Sequence, residues 1–177
     1  MGKRSIKENK NIYQTSREDL ALTREKASQL MQYMSADRIE KIENAKSLPH
    51  PDEILMMAEH YKKPGLPNYY CSHECPIGLK YVPEIEPKDL SQIVLEILGT
   101  LNSVEKQKNR LIDITMDGEI TEDEFKDFVS IQKLLNKISQ TVDSLQLWIE
   151  NSIVDGKLNK SSWEHITKDS KGCPKQG

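Results

Sequence analysis

Residues 128–149 read FVSIQKLLNKISQTVDSLQLWI, and the spacing of their apolar side chains decides the fold class. Phe128, Ile131, Leu135, Ile138, Val142, Leu145 and Ile149 recur at alternating intervals of three and four. Such intervals return to one face of an α-helix, and three heptads of them make a coiled-coil-like seam. Upstream, Leu90, Ile93, Ile97, Leu101, Val104 and Leu111 step in the same way along a second long helix that opens after Asp89. The break around Met116–Gly118 is short, so the two helices are expected to lie antiparallel as a hairpin. A short third helix is expected from Lys160, with Trp148 and Trp163 placed to lock the far end. The seam has two uses, an intrachain core and the pairing of two copies, and the sequence favours neither.

Between the long helices, Asp113–Glu124 meets a calcium-loop template at its first, fifth, sixth and twelfth positions, with Thr115 in place of an acid or Asn. An Asp-Gly turn and a capping box, Thr121 with Glu124, account for the same residues, and this is the reading the sequence favours.

Composition agrees with packed helices. The chain has 177 residues, only 6% of them aromatic and 30% charged, so its core must be thin and aliphatic. No run of about 18 apolar residues exists, which excludes a membrane-spanning helix. Met1–Asn11 lacks an apolar core segment, and the cysteines are three, so the sequence predicts no signal peptide, reduced thiols and a cytoplasmic protein. The net charge of −3 hides an asymmetry: ten basic against seven acidic residues lie before Pro51, fifteen against twenty-one after it. Lys3, Arg4, Lys7 and Lys10 make residues 1–10 a basic arm, expected to be disordered.

From Asn11 to Tyr61 the grain changes to short helices with frequent caps. Thr23 is placed to cap a helix carrying Ala27, Leu30 and Met31, and Ser35 caps the next, whose Ile39 and Ile42 face inward. Asn44-Ala45-Lys46 ends that helix. Pro51 opens another, with Ile54, Leu55, Met57, Ala58 and Tyr61 as its apolar stripe. Pro64, Gly65, Pro67, Pro76, Gly78, Pro83 and Pro87 then exclude a continuous helix. The layout expected is an all-α chain: a helix-turn-helix domain over 11–64, a Pro- and Cys-containing linker over 65–88, a helical hairpin domain over 89–168 and a disordered tail over 169–177. A connection as long as 65–88 should be structured or functional in its own right.

Ser35-Ala36-Asp37-Arg38-Ile39-Glu40-Lys41-Ile42-Glu43-Asn44-Ala45-Lys46, followed by Pro49, resembles the third helix and exit turn of the Xre/Cro/phage-repressor helix-turn-helix family. Arg17-Glu18 and Leu20-Ala21-Leu22-Thr23 resemble that family's first helix and the start of its second. The resemblance covers about Asn11–Tyr61, and the chain as a whole looks like Firmicutes proteins containing such a domain. It implies a third helix that enters the major groove of double-stranded DNA. Ala36, Asp37 and Lys41 would face base edges, with Arg24, Arg38 and Asn44 near phosphates, and Ser35 and Lys46, at the two ends of the recognition helix, complete the expected DNA-binding residues. It also implies that Glu43 is a buried structural partner, with Arg17 as its mate. Two features depart from the pattern: Ala45 stands where the family has Gly, and the turn Leu30–Met34 is longer and holds no Gly. The Ala36–Glu43 helix also carries a net charge of −1, a thin match to a phosphate surface.

Tyr69-Tyr70-Cys71-Ser72-His73-Glu74-Cys75-Pro76-Ile77-Gly78 is the most unusual local sequence. Cys71, His73 and Cys75 are three soft ligands suited to zinc, and a tetrahedral site would need a fourth from His50, His60, Glu74 or a partner chain. A thiol pair, Cys71 with Cys75, and cysteines packed as small apolar groups are the other two readings. No catalytic constellation stands out, so no enzyme activity and no required cofactor are expected. The function expected is a DNA-binding transcriptional regulator, with a homodimer through the C-terminal helices as its assembly. A protein-interaction module that retains the fold and a metal- or thiol-responsive sensor are the alternatives.

Overall fold

The computed structural model describes residues 9–116 and 118–170, with backbone alone at 168–170. The described residues are all helical or irregular, with no strand among them, and they divide between Glu84 and Ile85 into two compact units. Most of the expected basic arm, most of the expected tail and Asp117 of the acidic turn lie outside the described residues. Lys10 is described, and it is tied down: its Nζ lies 2.6 Å from Glu18 Oε2.

The first unit begins with α1 (Ile12–Asp19), α2 (Arg24–Met31), α3 (Ala36–Glu43) and α4 (Pro51–His60). Each of the first three starts on a side-chain cap that satisfies an otherwise orphaned N–H. Asn11, Thr23 and Ser35 accept from the backbone N–H groups of Gln14, Lys26 and Arg38. Met34 and Ile39 flank the Ser35 cap at the two positions of a hydrophobic staple, and both are buried in one cluster. That cluster also takes Tyr13, Ala27, Met31, Ile42, Ile54, Met57, Tyr61 and Leu66, so the first five helices share one core.

Three helix ends of this unit use the same device. The N–H of Lys46 donates to Lys41 O at 2.8 Å and that of Ala45 to Ile42 O at 3.0 Å, which wraps the end of α3 in a Schellman motif. Leu22 and Ala21 close α1 in this way, and Lys63 and Lys62 close α4. The residue that turns the corner has positive φ each time, +53° at Ala21 and +54° at Ala45 and Lys62. Ala45 therefore adopts the left-handed conformation that Gly would take without strain.

The expected linker needs correction. Within residues 65–88 lie α5 (Leu66–His73) and α6 (Gly78–Tyr81), and α5 belongs to the first unit's core. Leu66 is buried there, with Tyr69 and Tyr70 packed against the cluster. The prolines and glycines separate short helices instead of extending the chain. Pro67 sits in the first turn of α5, and Gly78 meets α5 so closely that a Cβ there would lie 2.0 Å from Cys71 O.

In the second unit, α7 (Leu90–Thr115) and α8 (Phe125–Val154) form the hairpin, followed by α9 (Lys160–Ser170). Asp89 caps α7 in a capping box with Gln92. At the start of α8, Glu124 accepts from both the N–H and the hydroxyl of Thr121, but the helix begins only at Phe125, one turn later than a Thr121 cap implies. The α7 seam is Ile93, Ile97, Thr100, Val104, Gln107, Leu111 and Ile114, all buried or half-buried. On α8, Ile131, Thr141, Ser144, Leu147 and Ser152 are buried, and Phe128, Leu134, Ile138, Leu145, Trp148 and Ile149 are half-buried. Of the expected row, Phe128, Ile131, Ile138, Leu145 and Ile149 are thus buried or half-buried, but Leu135 and Val142 stay 46% and 53% exposed. The helix is rotated toward Leu134, Thr141 and Trp148 because α7 docks on that side.

Replacing Ala45 or Ala21 by Gly should raise the unfolding free energy by about 0.5–1 kcal/mol each, since relief of left-handed strain exceeds the added chain entropy. Urea denaturation with an unchanged m-value would register this as a higher midpoint.

Candidate nucleic-acid interface

The α2–turn–α3 pair is held from beneath by a buried carboxylate. The Glu43 side chain is fully buried, yet it receives Arg17 Nε at 2.6 Å on one oxygen, and Arg17 Nη2 at 2.9 Å and Arg24 Nε at 2.8 Å on the other. Arg17 also donates to Leu22 O. One carboxylate at the last turn of α3 thus joins α1, α2 and α3. Burial opposes the Arg17 charge, but the hydrogen bonds and field of Glu43 outweigh it and hold the guanidinium more firmly protonated than usual. Glu18 lies 3.8 Å from Arg17, and Glu40 lies 3.8 Å from Arg24, so charges of alternating sign continue outward from Glu43. The pairing of Glu43 with Arg17 is the one the resemblance implies.

Two expected phosphate ligands are engaged within the unit. Arg24 gives its Nε to Glu43, with its side chain 30% exposed. Arg38 points back from the first turn of α3 toward α4. It grips Glu53 in a fork, Nε to Oε1 at 2.7 Å and Nη2 to Oε2 at 2.6 Å, while Nη1 donates to Ser47 Oγ and Nη2 to Leu48 O. Such a fork suits guanidinium and carboxylate geometry and leaves Arg38 little to offer a phosphate. Glu53 also accepts from the His50 N–H at 2.7 Å. Burial would raise the Glu53 pKa, but these donors outweigh it and hold the carboxyl below its ordinary range.

The outward face of α3 carries the remaining residues. Ser35 is exposed and occupied as a cap, and Ala36 is half-buried. Asp37 and Lys41 form an exposed i,i+4 pair at 2.8 Å, and the hydrogen bond from Lys41 lowers the Asp37 pKa. Asn44, the C-cap, reaches Glu40 Oε1 at 3.4 Å, and Lys46 is exposed just beyond the Schellman turn. Two residues the sequence reading passed over share this neighbourhood. Tyr33, in the turn, is 89% exposed because its neighbour Met34 takes the buried staple position. Lys26 is exposed in the first turn of α2. The sequence signal for Tyr33 was an aromatic residue between two capped helices, where no helix face is available to bury it.

The cysteine segment is structural in what it contacts. Tyr13 Oη donates to Glu74 at 2.9 Å, and its ring meets Tyr69 edge-on. The His73 ring stacks on Tyr69 with centroids 4.4 Å apart, and its Nε2 lies 3.4 Å from Glu84. Glu74, one of the residues offered as a fourth ligand, is thus engaged by Tyr13. Cys71 and Cys75 are half-buried, unbridged thiols. Among the described residues, no group of three His, Cys, Asp or Glu side chains is gathered for a metal ion, so Cys71, His73 and Cys75 are close in sequence without converging.

No family model, no curated protein and no solved structure matches the chain.

Glu43→Gln should cost about 3–5 kcal/mol, because it leaves Arg17 buried without its counter-charge; thermal melting would show the loss. The Arg38–Glu53 fork has an acid signature. A depressed carboxyl pKa adds stability above its ordinary value of 4.5 that disappears as pH falls through the folded value. Glu53→Gln should therefore lower stability at neutral pH and flatten its decline below about pH 4.5, as denaturation at stepped pH would measure.

Proposed function

We propose that the first unit binds double-stranded DNA by placing α3 in a major groove, and that the protein acts as a transcriptional regulator. The observation that carries this reading is the outward face of α3, with half-buried Ala36 and the exposed Asp37–Lys41 pair, on a helix whose other sides are fixed by Glu43 and Arg38. Ala36 suits a thymine methyl group, Asp37 accepts from cytosine N4, and Lys41 donates to guanine. With Arg38 committed to Glu53 and the Nε of Arg24 given to Glu43, phosphate contact falls chiefly to Lys26 and Lys46, with Tyr33 as a hydroxyl donor at the turn.

A module for protein contact is the second reading, favoured by a specific observation. Asp37 and Glu40 place carboxylates on the face that would meet phosphate, beside an aromatic ring that stands almost entirely in solvent. Asp37 is ionised at neutral pH, and the hydrogen bond from Lys41 lowers its pKa further below the neutral range.

The deciding experiment is selection of genomic fragments by the purified protein near physiological salt, followed by titrations on the enriched sequence. The expected result is one motif, with log affinity falling linearly in log salt. Lys26→Ala combined with Lys46→Ala should shrink that slope by about 2. Asp37→Asn should raise non-specific affinity, and Arg38→Ala should lower stability and leave the slope intact. A folded protein that enriches no sequence would leave protein contact as the reading.

A further inference from the structure

The two long helices carry a second apolar row beside their seam. On α7, Val94, Leu98, Leu101 and Ile112 each follow a seam residue by one position; on α8, Leu135 and Val142 do the same. One residue turns about 100° around a helix axis. Because the helices run antiparallel, the same turn from the shared seam brings both rows to the same side of the hairpin. The six side chains are 42–53% exposed. The residues one position before the seam include Glu96, Lys106, Arg110, Lys133 and Lys137 and fall on the opposite side. The hairpin thus has one charged side and one apolar side.

We propose that the apolar side is the docking surface for a second copy of this chain, closing two hairpins into a four-helix bundle. Area is the first argument. Six half-bare aliphatic side chains leave several hundred Å² of apolar surface per copy, and two such faces reach about 1,000 Å², where specific interfaces begin. Length is the second. The row extends from Val94 to Ile112 on α7, interrupted at Glu105 and Lys108, so its occupant must present a helical stripe with apolar residues at both ends, and this hairpin presents one. Charge is the third. The charged residues in the two rows are Glu105 and Lys108, which lie 3.8 Å apart in one chain. A face carrying one charge of each sign is compatible with the two-fold contact of like patches, whereas a strongly charged partner would gain little there. Apolar positions flanking the seam are also the pattern of helices packed on two sides, as in a bundle. This inference stands independently of DNA binding.

The test is the mass of the full chain in solution, by light scattering and sedimentation over a roughly hundredfold concentration range. The wild type should reach twice its 20.3 kDa chain mass. Leu98→Glu combined with Val142→Glu should give a monomer of unchanged helicity. Lys106→Glu combined with Lys137→Glu, on the charged side, should remain dimeric. The milder pair Leu98→Gln and Val142→Gln should weaken dimerisation by at least about tenfold, which keeps the test valid should the Glu pair unfold. A wild type that is monomeric throughout would overturn the proposal. So would a dimer that survives both apolar-side pairs.

Discussion

A single buried carboxylate organises the first unit. Glu43 has no contact with water, so its charge is tolerable only while Arg17 and Arg24 stay within hydrogen-bond reach. Arg17 comes from α1, Arg24 from the first residue of α2, and Glu43 from the end of α3. The three helices are therefore placed together or not at all. Apolar packing of Ile39, Ile42 and Met31 supplies burial without direction; the bidentate Arg17–Glu43 pair supplies angle and register. Arg38 and Glu53 repeat the arrangement one turn into α3, between α3 and α4.

Much of the fold was legible because it rests on local signals. Thr23, Ser35, Pro51 and Asp89 mark helix starts through chemistry that depends on the neighbouring few residues, and the structure has helices opening there. The end of α3 at Asn44-Ala45-Lys46 was legible for the same reason. Signals that depend on distant partners were not. Arg24 and Arg38 look like surface cations in a string of letters, and only the approach of Glu43 and Glu53 shows that they are occupied. The α8 seam was legible in part. Phe128, Ile131, Ile138, Leu145 and Ile149 are buried or half-buried as their spacing implies, and the choice between Leu135 with Val142 and Leu134 with Thr141 is made by α7.

The segment after α4, set apart as a linker that should be structured, is structured as two short helices, the first of which belongs to the core. Prolines and glycines exclude one long helix, but they do not exclude two short ones. Pro67 sits in the first turn of α5, where its missing N–H has no role, and Gly78 allows α6 to press on the Cys71 carbonyl. The spacing of Cys71, His73 and Cys75 drew attention toward metal chemistry. Their neighbours Tyr69, Glu74 and Gly78 are what tie the segment to the core, through Tyr13 and the α5–α6 approach.

The two ends of α3 are pinned separately, by Arg38 at its start and Glu43 at its finish. A helix of eight residues would fray in isolation. Held at both ends, it meets a partner with its backbone already ordered, so the entropy of contact falls on side chains alone. Tyr33, Lys41 and Lys46 are the rotamers still to be fixed, at about 0.5–1.5 kcal/mol each. Preorganisation of this kind lets a face with little net charge discriminate by shape, since the surface it offers is the same before and after the encounter.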